Sequence, residues 1–85
     1  MIGLMGKKVF ISTVTKYFSG LVVEETDSYL KLDQAAWIAD TGRFADAMAD
    51  TDKFSEVEPY TNPVWVFTSG IIDITEIAVL PTKQK

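Results

Sequence analysis

Residues 18–35 read FSGLVVEETDSYLKLDQA, and this stretch decides the fold. Its first part, Phe18–Glu25, is apolar and rich in β-branched residues, as strands are. The polar triplet Thr26-Asp27-Ser28 then has turn chemistry, and the alternation that follows places Leu30 and Leu32 on one side of a strand. The pattern predicts two antiparallel strands joined by a tight turn.

The rest of the chain adds strands on both sides of this pair. An alternating run around Val9 and Ile11 precedes it. Three later segments have strand composition: Phe54–Glu58, which is weak, Val64–Thr68 and Ile71–Val79. Ser69-Gly70 is short enough to link the last two segments as a hairpin. Between the two halves, Arg43–Ala49 is rich in helix formers and predicts a helix of about two turns.

These segments predict a mostly β fold over one domain, residues 1–85. Gly20 lies inside the second strand, where a glycine often marks a bend or a close backbone approach. So many strands in so short a chain indicate a small, strongly bent, five-stranded antiparallel barrel, with the helix inserted between strands 3 and 4. Trp37 is expected to pack that helix onto the barrel, with a partner contact as the alternative. Residues 80–85 are expected to fray.

The composition restricts the chemistry. Among 85 residues there is no cysteine and no histidine, so disulfides, thiolate nucleophiles, the commonest zinc ligand and the commonest general base are all missing. We therefore expect no catalytic residues, no metal and no cofactor, and hence no enzyme. A chain this small builds a marginal core, which makes a second copy of the chain the expected stabiliser.

Charge and hydropathy bear on the partners. Residues 1–23 hold three lysines and no acid, whereas residues 24–58 hold ten acids and three basic residues. This distribution indicates either solvated charges scattered over a small surface or a weakly basic face near the amino-terminal lysines, apart from an acidic middle. No apolar run approaches the ~20 residues of a membrane span, so no membrane partner is expected, and the predicted location is cytoplasmic.

The strand layout resembles the Sm-like fold, the SH3-like barrel of the Sm and LSm ring proteins. The resemblance rests on Phe18-x-Gly20-x-Val22, on Leu30-x-Leu32-x-x-Ala35 and on residues 66–74 around Thr68-Ser69-Gly70. Residues 33–44 are also similar to a stretch of small proteins encoded by marine cyanophages, which would place the chain in the cytoplasm of a host cell.

The resemblance implies a homomeric ring in which the fourth strand of one subunit pairs with the fifth strand of the next. The last two predicted strands are apolar on both faces, which points to the same contact. The predicted interface residues are Val64, Trp65, Val66, Phe67, Ile71, Ile72 and Ile74.

The resemblance also implies that single-stranded RNA, or single-stranded DNA, binds at the inner rim of the ring. The residues expected there are Asp27, Tyr29, Lys31, Thr68 and Ser69, with Lys7 and Lys8 along a phosphate path. One register places Asp27 where the family stacks a base and Tyr29 where it has an asparagine. The other register makes Tyr29 the stacking residue. Thr68 and Ser69 replace the arginine-glycine pair of the family.

Two functions therefore compete at this point. The first is a ring-forming protein that binds nucleic acid in RNA or DNA processing. The second is an oligomeric structural or protein-interaction module, for example of a phage, that binds no nucleic acid. The acidic charge and the missing arginine favour the second function, whereas Tyr29 and the resemblance favour the first.

Overall fold

Six strands, one helix and two short 3₁₀ turns make up the computed structural model, which describes residues 3–85. The strands are β1 (Lys8–Thr13), β2 (Tyr17–Glu25), β3 (Tyr29–Asp40), β4 (Glu56–Pro59), β5 (Val64–Phe67) and β6 (Ile71–Glu76). The helix α1 spans Phe44–Ala49, and the 3₁₀ turns span Thr51–Lys53 and Thr68–Gly70. The predicted mostly β class and the position of the helix are confirmed.

All strand pairs are antiparallel, and the order along the sheet is β4-β3-β2-β1-β6. The twelve-residue strand β3 serves two partners on one edge: residues 36–40 pair with β4, and residues 29–32 pair with β5. Within residues 3–85 no ladder joins β5 to β6, so the sheet is open at that point.

The hairpin predicted across Ser69-Gly70 is wrong. Thr68–Gly70 forms a 3₁₀ turn, closed by a bond from the Ile71 amide to the Thr68 carbonyl, and it redirects the chain away from β5. Strand β6 then pairs with β1, where Ile74 lies opposite the buried Ile11. A hairpin loop of two residues needs a tight mirror-image turn that this segment does not form.

The close approach predicted at Gly20 is confirmed. A Cβ atom placed on Gly20 would lie 2.9 Å from the Leu32 Cβ atom and 3.3 Å from the Asp33 carbonyl oxygen. The register between β2 and β3 slips beside Gly20, and Gln34 takes a φ of 50° there. A bulge of this kind bends the strand, which allows the two halves of β3 to reach different partners.

The sheet buries apolar side chains on both faces. Val9 and Ile11 belong to a cluster with Leu30, Leu32 and Val66. Phe10 points the other way and belongs to a second cluster, which α1 and the turn after it cover: Phe10, Ala36, Ile38, Ala47, Phe54, Val57 and Ile77. Leu30 and Leu32 are fully buried, as predicted.

Two other expectations are wrong. Trp37 does not pack against the helix: it is 39% exposed, and the Lys16 ammonium lies over its ring. Side chains alternate along a strand, and it is the neighbouring Ile38 that faces α1. The carboxyl-terminal residues are also held rather than frayed. Lys85 exchanges two backbone hydrogen bonds with Val57, at 3.0 and 3.1 Å, and Leu80 packs against the second cluster.

Candidate interaction surface

The turn between β2 and β3 is fixed by hydrogen bonds to the 3₁₀ turn that follows β5. Within the first turn, the Thr26 hydroxyl accepts from the amides of Ser28 and Tyr29, both at 3.1 Å. From the second turn, the Thr68 hydroxyl donates to the Asp27 carbonyl at 2.7 Å, and the Thr68 amide donates to the Ser28 carbonyl at 2.9 Å. Residues far apart in sequence thus meet at one end of β3.

Three aromatic side chains and one lysine project outward beside these turns. Tyr29 lies opposite Phe67 and Lys31 lies opposite Trp65, and directly opposed residues share a face of the sheet. The Lys31 Nζ atom lies 5.0 Å from the centroid of the Trp65 ring, a cation–π contact. Trp65 is 49% exposed and Phe67 is 62% exposed. We call these four residues the aromatic face.

Carboxylates border the aromatic face. The Tyr29 hydroxyl donates to Glu24 Oε1 at 3.0 Å, and the bond to this carboxylate raises the pKa of Tyr29 above its usual value of 10.0. Asp27 is exposed in the adjacent turn. Lys31 would attract a phosphate group to this surface, whereas these two acids repel it.

One edge of β5 has no partner strand within residues 3–85. The Thr68 amide bonds to Ser28 across the β3–β5 ladder, and hydrogen-bonded pairs alternate with open pairs in an antiparallel ladder. The amide and carbonyl of Val66 therefore face β3, whereas the amide and carbonyl of Trp65 and the amide of Phe67 face away from it. The Phe67 carbonyl caps the 3₁₀ turn that follows. The two exposed aromatic residues thus carry the backbone groups that the free edge of β5 presents.

Strand β6 likewise has one edge that pairs with no strand in the described part of the chain. The Ile77 amide donates to the Lys8 carbonyl at 3.0 Å, so by the same alternation the backbone groups of Ile74 and Glu76 face away from β1. Ile72, on this strand, is 66% exposed. The two free edges lie on different strands, so one copy of the chain offers two different pairing surfaces.

The seven predicted interface residues divide into two groups. Trp65, Phe67 and Ile72 are exposed. The others contribute to the first core cluster, Val66 from the interior and the rest from half-buried positions: Val64, Val66, Ile71 and Ile74.

The predicted nucleic-acid residues also divide. The turns described above bring together Asp27, Tyr29, Lys31, Thr68 and the exposed Ser69. Lys7 and Lys8 instead lie beside β6, where Lys7 forms an ion pair with Glu76 at 3.2 Å and Lys8 donates to the Ala78 carbonyl at 3.4 Å. The two lysines are therefore occupied away from the aromatic face. The sequence reasoning missed the contact between Lys31 and Trp65, although matching the alternation of β3 with that of β5 would have paired them.

No cluster of three or more acidic, histidine or cysteine side chains with metal-binding geometry occurs in residues 3–85. None of the helical segments in that range has the length and apolarity needed to cross a bilayer. No family model, no curated protein and no solved structure matches this chain. The function is therefore argued from the free strand edges and the aromatic face.

Proposed function

We propose that this chain is a self-assembling module of the Sm-like type, in which the free edge of β5 in one copy pairs with the free edge of β6 in the next. The observation that carries the proposal is the coincidence of unpaired backbone groups and large exposed side chains at Trp65 and Phe67. An uncovered edge of this kind is an aggregation hazard that native proteins cover.

The assembly would be a closed homomeric ring. Because the two edges are different surfaces, the contact is head-to-tail, and head-to-tail contacts form rings when the rotation between copies closes. Aromatic residues are enriched at the centres of protein interfaces, where they supply much of the binding energy. A barrel-like closure of the sheet, a cytoplasmic location and a role without catalysis belong to the same proposal.

A proline substitution separates edge pairing from side-chain packing. Phe67 has a φ of −78°, close to the value that proline fixes, and its amide faces away from β3. Phe67→Pro therefore removes a donor from the free edge without removing a β3–β5 bond. Phe67→Ala removes the same ring and keeps the donor. Val14→Lys is the control, because Val14 is exposed in the β1–β2 turn and belongs to neither β5 nor β6.

Light scattering over a range of micromolar concentrations measures the result. The wild-type chain and Val14→Lys should give the same discrete multiple of 9.5 kDa. Phe67→Ala should dissociate at a higher concentration than the wild type does, and Phe67→Pro should be a monomer throughout. A monomeric wild type, or proline and alanine variants that dissociate alike, would refute edge pairing.

A second function, binding of single-stranded RNA by the assembled ring, has one observation in its favour. Tyr29 lies beside the Lys31–Trp65 pair, and stacking on an aromatic side chain is worth about 1–3 kcal/mol per base. The carboxylates of Glu24 and Asp27 repel the phosphate groups, so we expect binding only at low salt.

Fluorescence anisotropy with U-rich and A-rich oligonucleotides tests this second function. Tyr29→Ala should weaken binding roughly tenfold, which corresponds to the stacking of one base. Tyr60→Ala, which removes a partly exposed tyrosine opposite the other half of β3, should leave binding unchanged. Absence of binding at low salt would leave the assembly function alone.

A further inference from the structure

The outer edge of β4 is covered by the carboxyl-terminal segment of the chain. In the β3–β4 ladder the Tyr60 amide bonds to the Ala35 carbonyl, so the alternation turns the backbone groups of Val57 away from β3. Lys85 forms hydrogen bonds with both of those groups: its amide donates to the Val57 carbonyl at 3.0 Å, and its carbonyl accepts from the Val57 amide at 3.1 Å. This reciprocal pair is the pattern of an antiparallel strand added to the edge.

Few contacts hold this segment, residues 78–85, which we call the tail. The Thr51 hydroxyl donates to the Val79 carbonyl at 2.7 Å, the Leu80 side chain packs against the second cluster, and the Lys85 ammonium donates to the Asp52 carbonyl. Six of its eight residues, 78, 79 and 82–85, are exposed. The tail therefore lies on the edge of β4 as an extended peptide, without a regular ladder.

The cleft beside the tail is acidic and only partly filled. Asp50 and Asp52 line a cleft of about 280 Å³ whose other wall is the tail, including Leu80, Thr82 and Lys85. The cleft is thus lined by two acidic residues and by two tail lysines, Lys83 and Lys85. The cleft is open to solvent and has room for a bulkier apolar side chain, whose burial there would be favourable. The positive charge of the tail complements Asp50 and Asp52, but the tail side chains leave much of the cleft empty.

We propose that the β4 edge is a binding site for an extended basic peptide of another protein, and that the tail occupies it as an intramolecular stand-in. The peptide adds to β4 as an antiparallel strand through the backbone groups of Val57, a recognised mode of peptide recognition. It places lysine or arginine near Asp50 and Asp52, and a bulky apolar side chain at the position of Thr82. This site is separate from the β5 and β6 edges, so it does not depend on the proposed assembly.

Fluorescence anisotropy with labelled peptides and the 85-residue chain tests this proposal. The probes are the tail sequence AVLPTKQK, the same peptide with Thr82→Leu, and a charge-reversed peptide with Lys83→Glu and Lys85→Glu. The leucine peptide should bind the wild-type chain roughly threefold or more tightly than the tail sequence, because it buries more apolar surface in the cleft. The charge-reversed peptide should bind at least about tenfold more weakly than the tail sequence.

A variant of the chain tests whether the tail competes. A tethered segment has an effective concentration of about millimolar, so weakening it should favour an added peptide. Lys85→Glu places a carboxylate beside Asp52, and this chain should bind the leucine peptide several-fold more tightly than the wild type does. Lys31→Glu, an equal charge change on the aromatic face, should bind it as the wild type does.

Three outcomes of the binding experiments would overturn the proposal. They are equal binding of the charge-reversed and tail peptides, equal binding by the Lys85→Glu and Lys31→Glu chains, and the absence of peptide binding to every chain. Circular dichroism of each variant checks that it is folded, and the amide resonance of Val57 should shift when the peptide binds. Exchange of tails between copies of the Lys85→Glu chain, seen in light scattering as a mass above that of the wild type, would also contradict it, since the occupant would then be a second copy.

Discussion

Replacing Gly20 by alanine should destabilise the fold by overpacking the contact between β2 and β3. The new Cβ atom would lie 2.9 Å from the Leu32 Cβ atom and 3.3 Å from the Asp33 carbonyl oxygen. Neither atom can rotate away, since one is bonded directly to the β3 backbone and the other belongs to it. The strand must therefore shift at its bend. Overpacking of this kind costs about 1–3 kcal/mol, a large part of the roughly 4–13 kcal/mol expected for a chain of this size.

Gly70→Ala is the matched control. No atom lies within 4 Å of the position its Cβ would occupy, so the free energy of unfolding should stay the same or rise by up to about 1 kcal/mol. Urea denaturation followed by the fluorescence of Trp37 and Trp65 measures both variants, at one fixed protein concentration because assembly would add to the stability. In thermal denaturation, the melting temperature of Gly20→Ala should fall by about 5–20 °C. Equal midpoints for the two variants would refute the role assigned to the bend.

Three further substitutions test the core, the turn contact and the tyrosine. Leu30→Ala removes a fully buried side chain and should lower the free energy of unfolding by about 2–5 kcal/mol; a loss below 1 kcal/mol would contradict its place in the core. Thr68→Val removes the bond to the Asp27 carbonyl and should cost about 0.5–1.5 kcal/mol in urea denaturation, whereas no change would show that the two turns are not held together by it. The pKa of Tyr29 is raised by its bond to Glu24, so the contribution of that bond is complete below pH 10.0 and is lost as the pH rises through the raised pKa. Glu24→Gln should lower this pKa in a phenolate absorbance titration, with Tyr29→Phe identifying the residue, and an unchanged titration would show that the bond is absent.

The sequence was most informative where local chemistry decides the structure. The turn at Thr26-Asp27-Ser28 and the inward-facing Leu30 and Leu32 follow from residue type and alternation. The role of Gly20 follows from the lack of a side chain where β2 bends close to β3. Each of these features needs information from only a few neighbouring residues.

Features that depend on distant partners were not predictable in the same way. The continuation of β3 beyond Gln34 runs through alanines, which have little strand preference, and it is held by pairing with β4. The predicted hairpin failed because β5 and β6 each pair with a strand from the first half of the chain. The tail looked frayed because its partner, Val57, is 28 residues away from Lys85.

The candidate site shows the same division. Tyr29, Lys31 and Thr68 were identified from the family resemblance, and the structure places them at the same end of β3. Lys7 and Lys8 looked available in the sequence, but Glu76 and the Ala78 carbonyl engage them. Charge along a sequence does not show which lysines already have partners.

Amide hydrogen exchange at the two free edges tests the central proposal most directly. In an isolated copy, the amides of Trp65, Phe67, Ile74 and Glu76 face away from their neighbouring strands and should exchange quickly. In the proposed ring they are paired with the next copy. We predict that these four amides are protected at high protein concentration and lose that protection on dilution, whereas the Val66 amide, bonded within the chain, stays protected throughout. Rapid exchange of all four amides at every concentration would contradict assembly through β5 and β6.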